Sequence, residues 1–268
     1  MRKTALVSLS LAIAFAAATS PITLRLRSRV ELFKGSGDWR ATTVDYALEP
    51  KKTAIILCDI WDKHWCHGAT ERVGKLAPKV EAVVKRLRAA GVLVIHAPSE
   101  TMDFYKDSPE RKAMLEIPKA SLPEALALDS PKLPIDDSDG GCDTSQDKFY
   151  KAWTRENPAI TIEPGDLISD RGEEVYSALK LRGIDTLLLA GVHVNMCILN
   201  RSFAIKQMSK WGVRTILIRD LTDSMYNPAD APRVSHDQGT ELVIEHIEKY
   251  WAPTITSPEL VAALAQRH

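Results

Sequence analysis

Thr186-Leu-Leu-Leu-Ala-Gly-Val-His-Val-Asn-Met-Cys197 is the stretch whose reading decides the fold. Residues 186–190 are an apolar run without alternation, the pattern of a strand covered on both faces. The run stops at Gly191 and leads into a helix predicted over Asn195–Trp211, which Gly212 ends. Three more stretches read the same way: Thr53-Ala-Ile-Ile-Leu-Cys58, Val92-Leu-Val-Ile-His-Ala97 and Thr215-Ile-Leu-Ile218. Between them, Val73, Leu76, Val80, Val83, Val84 and Leu87 recur at helical spacing and predict a helix over 72–90. Further helices are predicted over Glu173–Arg182, Ser235–Tyr250 and Pro258–Gln266. Short extended pieces are expected at 159–162 and 166–169, and an edge strand at Thr254–Thr256. Strands alternating with helices imply an α/β fold, with parallel strands joined by right-handed crossovers.

Along the chain, residues 1–20 have a basic start (Arg2, Lys3), an apolar run from Ala5 to Ala18 and small residues before Pro21. That is the three-part pattern of a secretory signal, and the run is short of the about 20 residues that span a bilayer. The expectation is export to the periplasm or medium, with no membrane contact after cleavage. Residues 21–50 mix polar and apolar types and read as an N-terminal arm. Residues 51–256 form the α/β domain, and 257–268 a C-terminal helix. Within the domain, 99–158 is rich in Pro, Asp, Ser and Lys and reads as a long loop insertion, a lid or pocket wall. Lys+Arg and Asp+Glu balance at 35 each, so no basic surplus points to nucleic acid. No Gly-rich phosphate loop follows any strand, which argues against a dinucleotide. No cofactor is expected; the expected partner is a small-molecule substrate.

In open α/β sheets reactive groups gather at the carboxyl ends of strands. Two such ends carry chemistry: Asp59 after residues 53–58, and Cys197 in the first turn of the helix after 186–190. A helix N-terminus stabilises negative charge, which favours a thiolate, and its free N–H groups can hold an oxyanion. A carboxylate at a strand tip beside a thiol can act as its base. Trp61, Trp65, Phe104 and Tyr105 are candidates for an aromatic substrate wall, and Asn195 reads as a helix cap. Of the 4 cysteines, Cys66 and Cys142 lie in expected loops and are the candidate disulfide pair. Cys58, His64, Cys66 and His67 are soft ligands close in sequence, but without the spacing of a zinc site. Asp136–Asp143 is an acidic turn that reads as solvated rather than as a calcium loop.

Taken together, Ile-Ile-Leu-Cys-Asp59 and Gly-Ile-Asp-Thr-Leu-Leu-Leu-Ala-Gly-Val-His-Val-Asn-Met-Cys197 resemble the isochorismatase-like cysteine hydrolases, which include nicotinamidases, carbamoylsarcosine amidases and isochorismatases. The resemblance covers about Lys52 to Asp223, and Gly165-Asp166 followed by an extended run fits it too. It implies a three-layer αβα fold with a mostly parallel sheet, an Asp-Lys-Cys triad and a homo-oligomer. It also implies a cis peptide at Val192–His193, with the N–H groups of His193 and Cys197 as oxyanion hole. A cysteine at 197 favours a C–N substrate, an amide or ureide, over a vinyl ether. The family's metal pattern has no counterpart at His96-Ala-Pro-Ser99, so no metal is expected. One position departs: where the family lysine belongs, this chain reads Leu167-Ile-Ser-Asp-Arg171. Arg171 is the candidate stand-in, with Lys63, Lys106 and Lys151 as other sources of charge. The missing lysine leaves two alternatives, a non-catalytic ligand-binding protein on the same fold and a metal-dependent hydrolase built on the Cys58–His67 cluster.

Overall fold

The computed structural model describes residues 22–144 and 147–266; the proposed signal segment lies outside them. In chain order its elements are β1 (Ile22–Glu31), β2 (Trp39–Leu48), β3 (Thr53–Cys58), α1 (His67–Ala89), β4 (Leu93–Ala97), α2 (Met102–Tyr105), α3 (Pro109–Leu115), β5 (Leu167–Ile168), α4 (Gly172–Leu181), β6 (Thr186–Val192), α5 (Cys197–Asn200), α6 (Ile205–Lys210), β7 (Arg214–Asp223), α7 (His236–Tyr250), β8 (Thr254–Ile255) and α8 (Ser257–Ala265). They build one sheet in the order β2-β1-β8-β7-β6-β3-β4-β5. The pairs from β8 to β5 are all parallel, and β1 pairs antiparallel with both β2 and β8.

The unbroken apolar runs follow from burial on two faces. Ala54, Ile56, Ile95, Leu187, Leu189 and Leu217 pack with α4, α5, α6 and α7. Their neighbours Ile55, Leu57, Val94, Leu188, Ile216 and Ile218 pack with α1 and α8 on the other side. This is the three-layer αβα arrangement. Among the described residues, no helix is long and apolar enough to cross a membrane.

Three expectations need correction. The segment expected as an N-terminal arm is, over residues 22–48, the β1–β2 hairpin, which widens the sheet. The alternation of Ile22, Leu24 and Leu26 buries one face of β1, a period of two hidden by its brevity. Thr254–Thr256 is not at an edge: β8 lies between β7 and β1, because the hairpin covers its outer side. The helix predicted over Asn195–Trp211 is two short helices with a break at Arg201–Ala204, where Arg201 turns extended (φ −60°, ψ 150°).

Among its described residues the 99–158 insertion is irregular beyond α2 and α3, yet it is tied down. A disulfide joins Cys66 to Cys142. The Asp62 carboxylate accepts from the Thr154 N–H at 2.9 Å and its hydroxyl at 2.5 Å. His96 of β4 is wholly buried between Glu156 (2.7 Å) and Asp166 (3.1 Å). Burial alone would lower that imidazole's pKa, but the Glu156 and Asp166 carboxylates raise it to about 9. The insertion is thereby pinned to the sheet through a buried cation.

Candidate active site

The tips of β3 and β6 meet because residue 191 is glycine. Cys58 is the register partner of Gly191, and a Cβ at 191, where φ is +123°, would strike the Cys58 carbonyl. Only glycine permits both the approach and the left-handed backbone. The next peptide, Val192–His193, is cis. The His193 carbonyl then accepts from the Met196 and Ile198 N–H groups (3.0 and 3.1 Å), which closes the turn that presents Cys197.

Asp59 leaves β3 in the left-handed region (φ 49°), a conformation that costs an aspartate energy and is typical of functional positions. Its side chain is fully buried. One carboxylate oxygen accepts from the Ser99 N–H at 2.8 Å. The other accepts from Arg201 Nε at 3.0 Å. Asp59 and Cys197 lie close enough that each shifts the other's titration, and the His193 backbone acts on the sulfur. Asp59 and Cys197 are therefore neighbours, with the His193 backbone beside the sulfur.

Burial raises the Asp59 pKa above the ordinary aspartate value, against the pull of Arg201 and Ser99. Burial, and then the Asp59 charge, push the Cys197 thiol well up. Burial thus disfavours charge on both groups, with the Arg201 guanidinium opposing it. For Cys197 this runs against the thiolate that a helix start was expected to favour. The helix that begins at Cys197 has only four residues, too few to set up a dipole that outweighs desolvation.

Arg201 was not singled out in the sequence, and Arg171, which was, lies elsewhere. Arg171 is the N-cap of α4, and its N–H donates to Ser169 Oγ at 3.0 Å. It lines a cavity of about 450 Å³ with Met114, Leu115, Lys119 and Trp211. The site's cation comes instead from the break after α5. Asn200 Nδ2 donates to the Met196 carbonyl at 2.8 Å and closes that helix. Gly172 packs so tightly on the Ser202 carbonyl that a Cβ there could not fit, while its N–H donates to Ser202 Oγ at 2.9 Å. The chain therefore turns at 201, and the guanidinium reaches Asp59. Its two terminal nitrogens also lie 3.4 Å from Glu100 Oε1. The available signal was a cation four residues after the cysteine, on the same helical face. Of the other candidate cations, Lys63 and Lys106 are exposed, and Lys151 Nζ donates to the Glu100 carbonyl at 2.7 Å.

The aromatic candidates divide. Trp61 is buried, stacks on Trp153 at 4.3 Å and donates to the Ser99 carbonyl at 3.1 Å. His64 continues the stack and meets Trp65 at 5.6 Å, and Phe149 packs edge-on to both Trp65 (5.9 Å) and Trp153 (6.3 Å). Tyr105 is a brace: its hydroxyl accepts from the Glu156 N–H at 2.8 Å. Asn195 is not a helix cap, since Met196 holds that place. Its amide exchanges hydrogen bonds with the Met225 backbone (both 2.9 Å) and donates to Asp137 at 2.8 Å. The Cys58–His67 cluster does not converge. Cys58 faces the Val192 carbonyl, Cys66 is in the disulfide and His67 is exposed beside Glu71.

Comparison with known proteins adds to this geometry. A scan against protein-family models finds no match, and a search of curated proteins finds none. Among solved structures, a cysteine hydrolase from Pseudomonas syringae pv. phaseolicola is similar at 16% identity and a TM-score of 0.53, over 83% of this chain and 97% of that one. A protein assigned as an isochorismatase from Burkholderia xenovorans is similar at 15% identity and a TM-score of 0.50, over 81% and 88%. Sheet order, strand-tip geometry and these likenesses agree that the chain has the isochorismatase-like fold.

Proposed function

We propose that the protein is a cysteine hydrolase that cleaves the C–N bond of a small amide or ureide. The observation that carries this reading is the juxtaposition of Asp59, bonded to Arg201, and Cys197 at the neighbouring tips of β3 and β6. In the first step Asp59 takes the thiol proton as the sulfur attacks the substrate carbonyl. The carbonyl oxygen gains negative charge, which the N–H groups of His193 and Cys197 stabilise. When the C–N bond breaks, the proton held by Asp59 passes to the leaving nitrogen and a thioester remains. Asp59, again ionised, then takes a proton from water, the hydroxide adds to the thioester carbonyl, and the proton returns to sulfur as the acid leaves.

Arginine does not readily release a proton, so Asp59 carries every transfer by itself. Arg201 balances its charge and fixes its orientation through Nε. A raised Asp59 pKa suits a group that must both take and return a proton. The Cys66–Cys142 disulfide supports an oxidising, extracytoplasmic compartment, in line with the apolar segment at 1–20. We also propose a homo-oligomer, from the resemblance alone.

The test is Cys197→Ala, screened against small amides and ureides beside the wild type. Turnover should vanish, and the wild type should accumulate an acyl adduct of Cys197 visible by mass spectrometry. Turnover that survives the substitution overturns the nucleophile. A wild type that binds these compounds without cleaving them favours a ligand-binding protein, the reading in which the strongly protonated thiol is inert.

A further inference from the structure

Two imidazoles stand beside this site and have no part in the steps above. The His193 ring is 1% exposed, and its Nε2 is buried without a hydrogen-bond partner. The His64 ring meets it edge to face, with centroids 5.0 Å apart. His64 Nδ1 accepts from the Cys66 N–H at 3.1 Å, which leaves its proton on Nε2. The charged groups that act on His193 are Asp223, Arg72 and His236. They are already matched with one another. Arg72 donates to Asp223 at 2.8 Å and to Asp143 at 2.5 Å, and His236 Nε2 lies 2.9 Å from Asp223. With these charges already matched, the buried His193 Nε2 is left without a partner, which is costly, and it points to a group supplied from outside the chain.

We propose that His193 is a specificity-determining residue whose Nε2 hydrogen-bonds an uncharged polar group next to the scissile carbonyl, so that the site takes neutral amides or ureides and rejects those bearing a carboxylate there. This rests on the reading of Cys197 as nucleophile. Burial, with His64 adding, lowers the His193 pKa to about 3, and burial with Arg72 lowers that of His64 to about 4. Both rings are therefore neutral under ordinary conditions. A neutral imidazole offers one donor and one acceptor, the complement of an amide N–H or C=O. An incoming carboxylate would lose its hydration and find no spare cation, since Arg72 is committed to Asp143 and Asp223 and Arg201 to Asp59.

The experiment reads binding apart from chemistry. Cys197→Ser protein, carrying isotope-labelled histidine, is titrated separately with acetamide, urea and acetate while the imidazole resonances are followed. The His193 signals are identified by their loss in His193→Gln. Acetamide and urea should shift them and acetate should not. An equal response to acetate, or no response to any of the three, overturns the proposal. In wild type, the rate of Cys197 modification by iodoacetamide over iodoacetate, normalised to free cysteine, should favour the amide about tenfold, the worth of one net hydrogen bond. His193→Phe should erase that preference and His193→Gln should keep it. A preference unchanged in His193→Phe overturns the proposal. Loss of the nucleophile reading would show as turnover in Cys197→Ala, and it would leave the titration result standing.

Discussion

Replacing Asp59 by Asn should make Cys197 more reactive toward an alkylating agent and yet less able to turn over. The Asp59 charge acts on Cys197, so a thiolate would face a like charge close by. Two unit charges about 4 Å apart at an effective dielectric near 20 repel by about 4 kcal/mol. That is about three pKa units. The substitution removes this repulsion and leaves Arg201, formerly bonded to the carboxylate at 3.0 Å, as a cation beside the sulfur. Both changes favour the thiolate, so its pKa should fall by about three units. Asn keeps an acceptor for the Ser99 N–H and nearly the same volume, which limits structural damage. The assay is the rate of iodoacetamide modification as a function of pH, with the modified residue assigned by mass spectrometry. Turnover of any substrate found should drop by about 10²- to 10⁴-fold, because the base is gone. An alkylation midpoint in Asp59→Asn equal to or above that of wild type would refute the electrostatic argument.

Two further outcomes follow from the same geometry. Arg201→Met removes the cation that holds the Asp59 pKa down against burial, so the acidic limb of kcat/KM should move up by about one to three pH units, while Arg201→Lys should restore most of it; a limb that stays in place separates Arg201 from Asp59. His96 has a folded pKa raised from 6.5 to about 9, so its contribution to stability is complete below 6.5 and is lost as pH rises through about 9. The difference amounts to about 3 kcal/mol. Denaturant titrations across that window should show the decline, and His96→Gln, weaker at neutral pH, should lose this part of the slope.

Much of the fold was legible because its causes are local. The runs 53–58, 92–97, 186–190 and 215–218 correspond to β3, β4, β6 and β7, and the Val73–Leu87 spacing corresponds to α1. The N-terminal hairpin was missed because only the alternation of Ile22, Leu24 and Leu26 marks it. The break at Arg201 was missed because no Pro or Gly stands between 200 and 204. It is made by Gly172, some thirty residues earlier, packing on the Ser202 carbonyl. Asn195 has the residue type and position of a cap, and only the neighbouring Met225 loop shows that its amide is used elsewhere.

The sequence by itself determined the layer architecture and put an acid at one strand tip and a thiol past the next, since hydrophobic periodicity and turn residues act over a few positions. The tertiary structure decided which cation completes the site and in which protonation state the thiol rests. The Arg201–Asp59 bond joins residues 142 positions apart. Desolvation is a property of everything packed around a group, which no local pattern encodes.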